Sequence, residues 1–285
     1  MLVMLSKTVS DILREADALL LSKFEHSDAQ YYLRELMHAR ELDLYTQLDN
    51  YMDEDLNKEF QAGITRLLND EPVAHILGYS WFYGRKFKVD HNVLIPRSET
   101  ELLVEQTLIE VKDYFHHEHL DVIDVGCGSG VIGISLKLEA PQLNVDMVDI
   151  STEALSKTKH NAERLYAEVN VYASDMLSVP QLNHKKYDVI VSNPPYIEND
   201  YELDASVSNF EPHLALFGGI EGLDFYREIL KQAQGLLKSP GLIAFEIGFN
   251  QAEALHFEIH QYFPNAVIKV VQDYAKLDRM VFALV

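Results

Sequence analysis

The strongest constraint on the fold is a regular alternation of short apolar runs and helical stretches that begins near residue 98. The apolar runs lie at 120–125, 144–150, 169–174, 187–192 and 241–248. Amphipathic stretches separate most of them, which is the pattern of parallel strands joined by crossover helices. Because these runs are apolar throughout, both faces of the sheet must be covered. The sequence therefore predicts the α/β class with a mostly parallel sheet. Two final runs without a helix between them, 266–273 and 279–285, predict an antiparallel hairpin at one edge.

The chain before residue 98 follows other patterns. Residues 1–78 contain amphipathic stretches at helical spacing, which predict a small bundle of short helices. In 79–97, aromatic and β-branched residues alternate with polar ones and predict a β-hairpin linker, with Asp90-His91-Asn92 as a candidate turn. Residues 98–285 then form the main domain. The pattern leaves open whether the helical segment stabilises the main domain or docks a partner.

The charge and the cysteine content limit the classes of partner and the cellular compartment that suit this chain. The chain has 24 Lys and Arg against 45 Asp and Glu, a net charge of −21. A protein that grips nucleic acid needs cations against the phosphates, so a nucleic-acid substrate is disfavoured. With one cysteine, Cys127, no disulfide forms within the chain. The N-terminal apolar run is too short for a signal peptide and no run is long enough to cross a bilayer, so we expect a cytoplasmic protein without membrane contact.

A glycine-rich loop follows the first apolar run of the main domain. It comprises Gly126, Cys127, Gly128, Ser129 and Gly130, and a helical stretch comes next. Glycines allow a sharp turn and a close approach of ligand to backbone, and a helix N-terminus favours an anion. The segment from Gly128 to Gly133 also fits the dinucleotide pattern G-x-G-x-x-G. The loop therefore predicts a nucleotide-like cofactor without choosing which one.

An acidic residue lies near the end of each of the next two apolar runs, Asp149 within the first and Asp175 directly after the second. Asp149 stands where a carboxylate accepts both hydroxyls of a ribose, although it is also a candidate helix cap. Asp175 is a candidate acceptor for an adenine amino group, with a solvated loop residue as the alternative. Met176 beside it has a flexible apolar side chain suited to covering a flat ring. His116, His117 and His119 lack the spacing of metal ligands, and no metal is expected.

The tetrad Asn193-Pro194-Pro195-Tyr196 follows the fourth apolar run. Two successive prolines prevent helix or sheet from continuing and fix an extended backbone. Such a backbone can aim the Asn193 side-chain carbonyl and the Pro194 backbone carbonyl at one point, which suits an NH₂ group with its two donors. Tyr196 can add an aromatic wall. The tetrad therefore predicts catalysis on, and binding of, a planar amide or base.

Together these motifs resemble S-adenosylmethionine-dependent methyltransferases that act on planar nitrogen. The segments EPVAHILGYSWFYGRKFKVDHNVLIPRSETE and FEPHLALFGGIEGLDFYREI are similar to those of the peptide chain release factor N5-glutamine methyltransferases. The resemblance covers about residues 70–285. It implies a Rossmann-like methyltransferase domain, a small N-terminal helical domain that docks the release factor, and a hairpin linker.

The resemblance also implies an activity and its site. The activity is methylation of the glutamine in the GGQ motif of class I peptide chain release factors, with S-adenosylhomocysteine as the second product and no direct contact with nucleic acid. The implied cofactor contacts are Gly126, Cys127, Gly128, Ser129, Gly130, Asp149, Asp175, Met176 and Asn193. The implied substrate contacts are Asn193, Pro194, Pro195 and Tyr196, with Asn193, Pro194 and Tyr196 as the catalytic set.

The sequence departs from the usual residues of this family at four positions. Ser98 replaces a usual proline, Glu221 a usual aspartate, Cys127 a frequent threonine and Met176 a frequent aromatic residue.

The nearest alternative function is that of an N6-adenine or N2-guanine methyltransferase of nucleic acid, which shares the tetrad but needs a basic surface. A nicotinamide oxidoreductase leaves the tetrad unexplained. A non-enzymatic adaptor leaves the intact Asn193 and loop glycines unexplained.

Overall fold

The computed structural model describes residues 7–115, 119–178 and 185–285. Within these ranges the chain forms two compact units. The first contains the residues up to Gly78 together with Asp204–Phe210, and the second contains Tyr79–Leu203 and Glu211–Val285. His116 and His117, which the sequence analysis considered as metal ligands, lie outside the described residues.

The first unit is helical, as its amphipathic patterns predict. Its helices are α1 (Val9–Leu21), α2 (Ala29–His38), α3 (Leu44–Gln47), α4 (Glu54–Leu67), α5 (Val73–Leu77) and the later α9 (Ala205–Ser208). Side chains cap three of the helix N-termini. Thr8 accepts from the Asp11 N–H, Asp43 accepts from the Thr46 N–H, and Asp53 accepts from the first N–H groups of α4. Buried Tyr32 and Phe60 stack 5.8 Å apart in its core. The sequence patterns had not separated α9 from the main domain.

A β-hairpin opens the second unit. Strands β1 (Tyr79–Phe82) and β2 (Arg85–Lys88) pair antiparallel, and buried Phe82 and Phe87 meet edge to face. The predicted hairpin is present, but its turn is Tyr83-Gly84, both with positive φ, rather than Asp90-His91-Asn92. The earlier position is favoured because glycine adopts positive φ without steric cost, which the tight hairpin turn requires.

The main sheet contains seven strands among the described residues, in the order β5-β4-β3-β6-β7-β9-β8. They are β3 (Asp121–Val125), β4 (Asn144–Asp149), β5 (Asn170–Ala173), β6 (Tyr187–Ser192), β7 (Leu237–Glu246), β8 (Val267–Gln272) and β9 (Asp278–Leu284). The first five are parallel, and β9 runs antiparallel between β7 and β8. The predicted parallel sheet and its antiparallel edge hairpin are both confirmed.

Helices cover both faces of this sheet and bury two apolar clusters. They are α6 (Ser98–Tyr114), α7 (Val131–Glu139), α8 (Thr152–Leu165), α10 (Asp224–Ala233) and α11 (Ala252–Tyr262). One cluster contains Ile134 and Phe282, and the other contains Tyr226 and Phe245. The chain leaves β3 toward β4 and later returns to β6 on the other side of β3, which creates the crevice where open α/β sheets bind ligands. Across the described ranges, every helix is too short or too polar to cross a membrane.

Candidate active site

A cavity lies at the carboxyl ends of β3, β4 and β6, where the strand order reverses. It brings together most of the residues that the sequence singles out. The lining includes Gly126, Cys127, Gly128, Ser129, Asp149, Asp175, Met176, Asn193, Pro194 and Pro195. Gly130 and Tyr196 are not in this lining. No group of three or more potential metal ligands is found within the described ranges.

The glycine loop joins β3 to α7 in a backbone conformation that residues with a side chain rarely adopt. Gly126, Gly128 and Gly130 have φ of 72°, 55° and 88°. At Gly126 and Gly128 the position of an absent Cβ faces open space, whereas at Gly130 it faces Ile134 at 2.8 Å. Gly130 therefore keeps the loop packed on its helix, while the other two expose backbone toward the cavity.

The two remaining loop residues hold the loop from inside. Cys127 is buried, its Sγ lies 3.5 Å from the Thr158 hydroxyl, and burial raises the pKa of its thiol well above the usual range. A thiol in this state is a poor nucleophile. The backbone carbonyl of Ser129 accepts from Nδ2 of Asn161 at 2.8 Å, and the Asn161 amide also pairs with the backbone of Lys88 in the hairpin.

Asp149 is oriented by backbone donors. One carboxylate oxygen accepts from the Gly128 N–H at 2.8 Å and the other from the Ser151 N–H at 2.9 Å. Burial raises the pKa of Asp149, and these two hydrogen bonds oppose that shift. Each oxygen keeps a further lone pair for a ligand hydroxyl. Ser151, not Asp149, caps α8, through the Ala154 N–H.

Asp124 is a fully buried carboxyl beneath the loop that the sequence analysis did not select. One oxygen accepts from the Gly133 N–H at 2.9 Å, and the other has no partner among the described residues. Burial raises the pKa of Asp124 to about 7, with the Gly133 hydrogen bond opposing it. Its position next to the carboxyl end of β3 is visible in the sequence, but the lack of a hydrogen-bond partner for one of its oxygens is not.

The Asp124 carboxyl should make stability depend on pH in a defined direction. The folded protein holds a proton up to about pH 7 that the unfolded chain releases near pH 3.8, so the wild-type free energy of unfolding falls as pH rises through this window. We expect Asp124→Asn to lack this component. Urea unfolding should show the variant gaining about 2 kcal/mol relative to wild type between about pH 5.5 and pH 8. A difference between the two proteins that stays constant with pH would contradict this.

Two apolar side chains lie beside the residues that are predicted to bind the nucleoside. Ile150 lines the cavity and is 56% exposed. Met176 lines it too, with a φ of 49° that holds its backbone in the left-handed region. Asp175, before it, is exposed at the rim. Ile150 was not among the residues predicted from the sequence, although an isoleucine directly after the strand-end acid Asp149 was an available signal.

The tetrad begins immediately after β6. Nδ2 of Asn193 donates to the Thr100 hydroxyl oxygen at 3.2 Å, and Pro194 and Pro195 line the cavity. Tyr196 is half-buried, and its hydroxyl lies 3.4 Å from a carboxylate oxygen of Glu246. Burial, then the charge of Glu246, raises the pKa of Tyr196. The phenol is thus directed to Glu246, and the role of Tyr196 as an aromatic wall stays a prediction.

A glycine-rich segment after the tetrad supports its backbone. An added Cβ at Gly218 would stand 2.4 Å from the Pro195 carbonyl oxygen, and one at Gly222 would stand 2.1 Å from the Tyr196 carbonyl oxygen. The Gly218 N–H also donates to the Ile197 carbonyl at 2.8 Å. The tetrad is therefore held by contacts that only residues without a side chain allow.

An ion pair ties the linker to the segment that follows the tetrad. The buried Glu211 carboxylate accepts from Arg97 at 2.5 Å and from the Ile95 N–H at 2.9 Å. Arg97 is the last residue of the 79–97 linker. Its partner is 114 residues away and buried, so the pair fixes the linker beside the cavity.

The glycine loop, the strand-end acid and the tetrad on a mostly parallel sheet define a Rossmann-like, S-adenosylmethionine-dependent methyltransferase with an N-terminal helical domain. The sequence matches the family described as "Methyltransferase small domain" over residues 99–210 and the "PrmC N-terminal domain" over residues 11–78. A methyltransferase from Pyrococcus furiosus has a similar fold, with a TM-score of 0.52 at 16% identity over 79% of this chain and 98% of that one.

Relatives of similar length define the family more narrowly. A release factor glutamine methyltransferase of Bacillus cereus is 44% identical over 232 residues, which are 81% of this chain and 82% of that protein. A release factor glutamine methyltransferase of Bacillus anthracis is 42% identical over 238 residues, with 81% and 84% covered. The chain belongs to the release factor glutamine methyltransferase family.

Proposed function

We propose that this chain transfers the methyl group of S-adenosylmethionine to the side-chain nitrogen of the glutamine in the GGQ motif of class I peptide chain release factors. The observation that carries the proposal is the placement of Asn193 and Pro194 at the same cavity as the glycine loop and Asp149. The relatives named as release factor glutamine methyltransferases support this substrate and do not favour methylation of adenine or guanine in nucleic acid.

The loop residues fit the cofactor. The open space at Gly126 and Gly128 lets a ligand contact the backbone, and the N-terminus of α7 favours a carboxylate there. The free lone pairs of Asp149 suit the two hydroxyls of a ribose. S-adenosylmethionine, when bound, supplies a methyl group on a positively charged sulfur. We assign Cys127, Ser129 and Gly130 to shaping this loop.

The nucleoside base fits between apolar side chains. Ile150 and Met176 both present apolar surface to the cavity, where a flat ring can be covered on its faces. Asp175, at the rim, can accept from an adenine amino group. The position of Ile150 in the cavity wall supports this assignment, because an exposed apolar side chain gains free energy when a ligand removes it from water.

The tetrad supplies the chemistry on the substrate side. An amide nitrogen is a weak nucleophile because its lone pair is delocalised into the carbonyl. The Asn193 side-chain carbonyl and the Pro194 backbone carbonyl accept the two N–H bonds of the target amide and orient its lone pair. Their partial negative charges stabilise the positive charge that develops on nitrogen. The carbon–nitrogen bond forms as the carbon–sulfur bond breaks, and the nitrogen then releases a proton to solvent.

The helical unit has the properties of a docking module for the release factor body. Residues 1–78 contain 7 Lys and Arg against 15 Asp and Glu, and the unit encloses its own core. It still leaves Leu19, Leu21, Tyr45 and Tyr51 at least half exposed. An acidic surface with apolar side chains suits a basic protein surface better than a nucleic acid. A translation factor as substrate places the reaction in the cytoplasm.

Methyl-group labelling tests the proposal. Labelled S-adenosylmethionine is offered with unmodified release factor, with the same factor carrying a changed GGQ glutamine, and with duplex DNA or RNA. We expect label on the unmodified factor alone. Label on nucleic acid, or on the factor without its glutamine, would overturn the substrate assignment. Binding of S-adenosylmethionine without any transfer would show that the cofactor assignment holds but the substrate assignment does not.

A further inference from the structure

A glutamine side chain fills the junction behind the last residue of the tetrad. Gln251 directly precedes α11, in the turn that follows β7, and is 5% exposed. Its Nε2 atom lies 3.0 Å from the Tyr196 carbonyl oxygen, 3.3 Å from that of Gly222 and 3.4 Å from that of Glu221. Its Oε1 atom accepts from the Gly248 N–H at 2.9 Å. One side chain therefore joins the tetrad, the glycine-rich segment that follows it, and the turn between β7 and α11.

The neighbours of this amide allow only one orientation. Nε2 faces three backbone carbonyl oxygens, which cannot donate, and Oε1 faces a backbone N–H, which cannot accept. Turning the amide over would place its oxygen against three carbonyl oxygens and its NH₂ group against a donor. The NH₂ group is therefore fixed toward Tyr196, and its two hydrogens serve the three carbonyls.

The tetrad depends on donors from outside its own backbone. Pro194 and Pro195 have no N–H, so this stretch lacks two of the donors with which a chain ordinarily fixes its shape. Gln251 supplies a donor to the carbonyl of the last tetrad residue. The packing at this junction is close, because a Cβ at Gly222 would stand 2.5 Å from Nε2 of Gln251. The amide thus holds the end of the tetrad at a place where little space is left for movement.

We propose that Gln251 is a positioning residue for methyl transfer. Its NH₂ group holds the Tyr196 carbonyl and thereby fixes the extended tetrad that presents the Asn193 and Pro194 carbonyls to the target NH₂. Gln251 is not among the described residues that line the cavity, so it acts on the reaction through the tetrad. The inference rests on the proposed function, in which these two carbonyls accept from the substrate amide.

Gln251→Glu tests the donor without changing the size of the side chain. At high pH the introduced carboxylate has no hydrogen to donate and faces three carbonyl oxygens, so it should displace the tetrad. We expect kcat about 10–100-fold below wild type at about pH 9, since a displacement of about 1 Å at positioning groups has such an effect. Burial beside these oxygens raises the pKa of the introduced carboxyl, and protonation toward about pH 6 restores one donor. The ratio of variant to wild-type kcat, which cancels the titrations common to both proteins, should therefore rise as pH falls.

Two further variants separate the hydrogen bonds from general packing. Gln251→Met keeps the length of the side chain without a comparable donor, so its kcat should lie below wild type by the same factor at each pH. Gln234→Glu is the matched control, because the Gln234 amide also donates to a backbone carbonyl, that of Tyr262 at 2.9 Å. It should keep wild-type kcat, and the KM for S-adenosylmethionine should stay unchanged in all three variants. A kcat ratio for Gln251→Glu that stays flat with pH, or full turnover by folded Gln251→Met, would overturn the positioning role.

A carbon signal from the tetrad provides a readout that needs no substrate. Tyr196-Ile197 is the only Tyr-Ile pair in the sequence. Protein labelled with ¹³C at the tyrosine carbonyls and ¹⁵N at isoleucine therefore gives one carbonyl–amide correlation, which comes from Tyr196. Because a carbonyl carbon that loses a hydrogen bond is more shielded, this signal should move to a lower chemical shift in Gln251→Met and stay in place in Gln234→Glu. In Gln251→Glu it should return toward the wild-type position as pH falls, with the same midpoint as the kcat ratio.

The two readouts separate this inference from the proposed function. A Tyr196 signal that Gln251→Met leaves in place, or that does not titrate in Gln251→Glu, would overturn the inference even if the enzyme methylates release factors. A signal that shifts as expected in a protein that labels no release factor would support the hold of Gln251 on the tetrad and count against the proposed function alone.

Discussion

Asn193→Ala is expected to lower kcat for release factor methylation about 10²–10³-fold, the usual effect of removing one oriented dipole from a transition state. The substitution removes the side-chain carbonyl that we assign to the target NH₂ and leaves the Pro194 carbonyl in place. Its only described hydrogen bond is to Thr100, so the fold should remain intact. Single-turnover transfer of labelled methyl measures the chemical step, and calorimetry measures binding of S-adenosylmethionine, which should weaken far less than kcat falls.

Asn144→Ala is the matched control for this variant. Asn144 starts β4 at the opposite end of the sheet, where its amide donates to Asp121 at 3.2 Å. It should retain wild-type kcat and cofactor affinity. Wild-type turnover by a folded Asn193→Ala protein would contradict the role given to the Asn193 carbonyl. An equal loss of cofactor affinity and kcat would instead place Asn193 mainly in the cofactor site.

The parts of the site that could be predicted from the sequence are those that consist of local motifs. The glycine loop, Asp149 and the tetrad each follow a strand directly, and parallel strands bring their carboxyl ends to one edge. Once the strands are recognised, these residues must share a crevice. The same reasoning predicted the sheet, because the apolar runs are long enough to be assigned without knowledge of their neighbours.

The parts that it missed depend on contacts between distant residues. Thr100 is 93 residues from Asn193, and Glu211 is 114 residues from Arg97. Thr100 and Glu246 each lie in an ordinary local pattern. Thr100 is a residue in the first turn of a helix, and Glu246 ends an apolar strand. Their importance comes from burial beside one partner, and burial is a tertiary property. The direction of the Tyr196 phenol toward Glu246 could not be predicted for the same reason.

Gly218→Ala is the second substitution with a large expected effect, and it acts on the tetrad without touching its residues. The φ of Gly218 is not in the left-handed region, so alanine is not opposed by its own backbone conformation. The new methyl would stand 2.4 Å from the Pro195 carbonyl oxygen and 2.9 Å from the Gly222 carbonyl oxygen, and both are backbone atoms. Backbone held by its own hydrogen bonds cannot move aside as a flexible side chain does, so the strain must displace the tetrad.

We expect Gly218→Ala to lower kcat at least about 10²-fold, since a displacement of about 1 Å at positioning groups has that effect. Overpacking should also lower the free energy of unfolding by about 1–3 kcal/mol. Gly235→Ala is the matched control, because its new methyl would meet only the Gln232 carbonyl at 3.8 Å, and it should retain wild-type kcat. Cofactor affinity should change little in either variant, because the glycine loop belongs to another segment. A folded Gly218→Ala enzyme with full turnover would mean that the tetrad tolerates displacement, and the geometric account of catalysis would then be wrong.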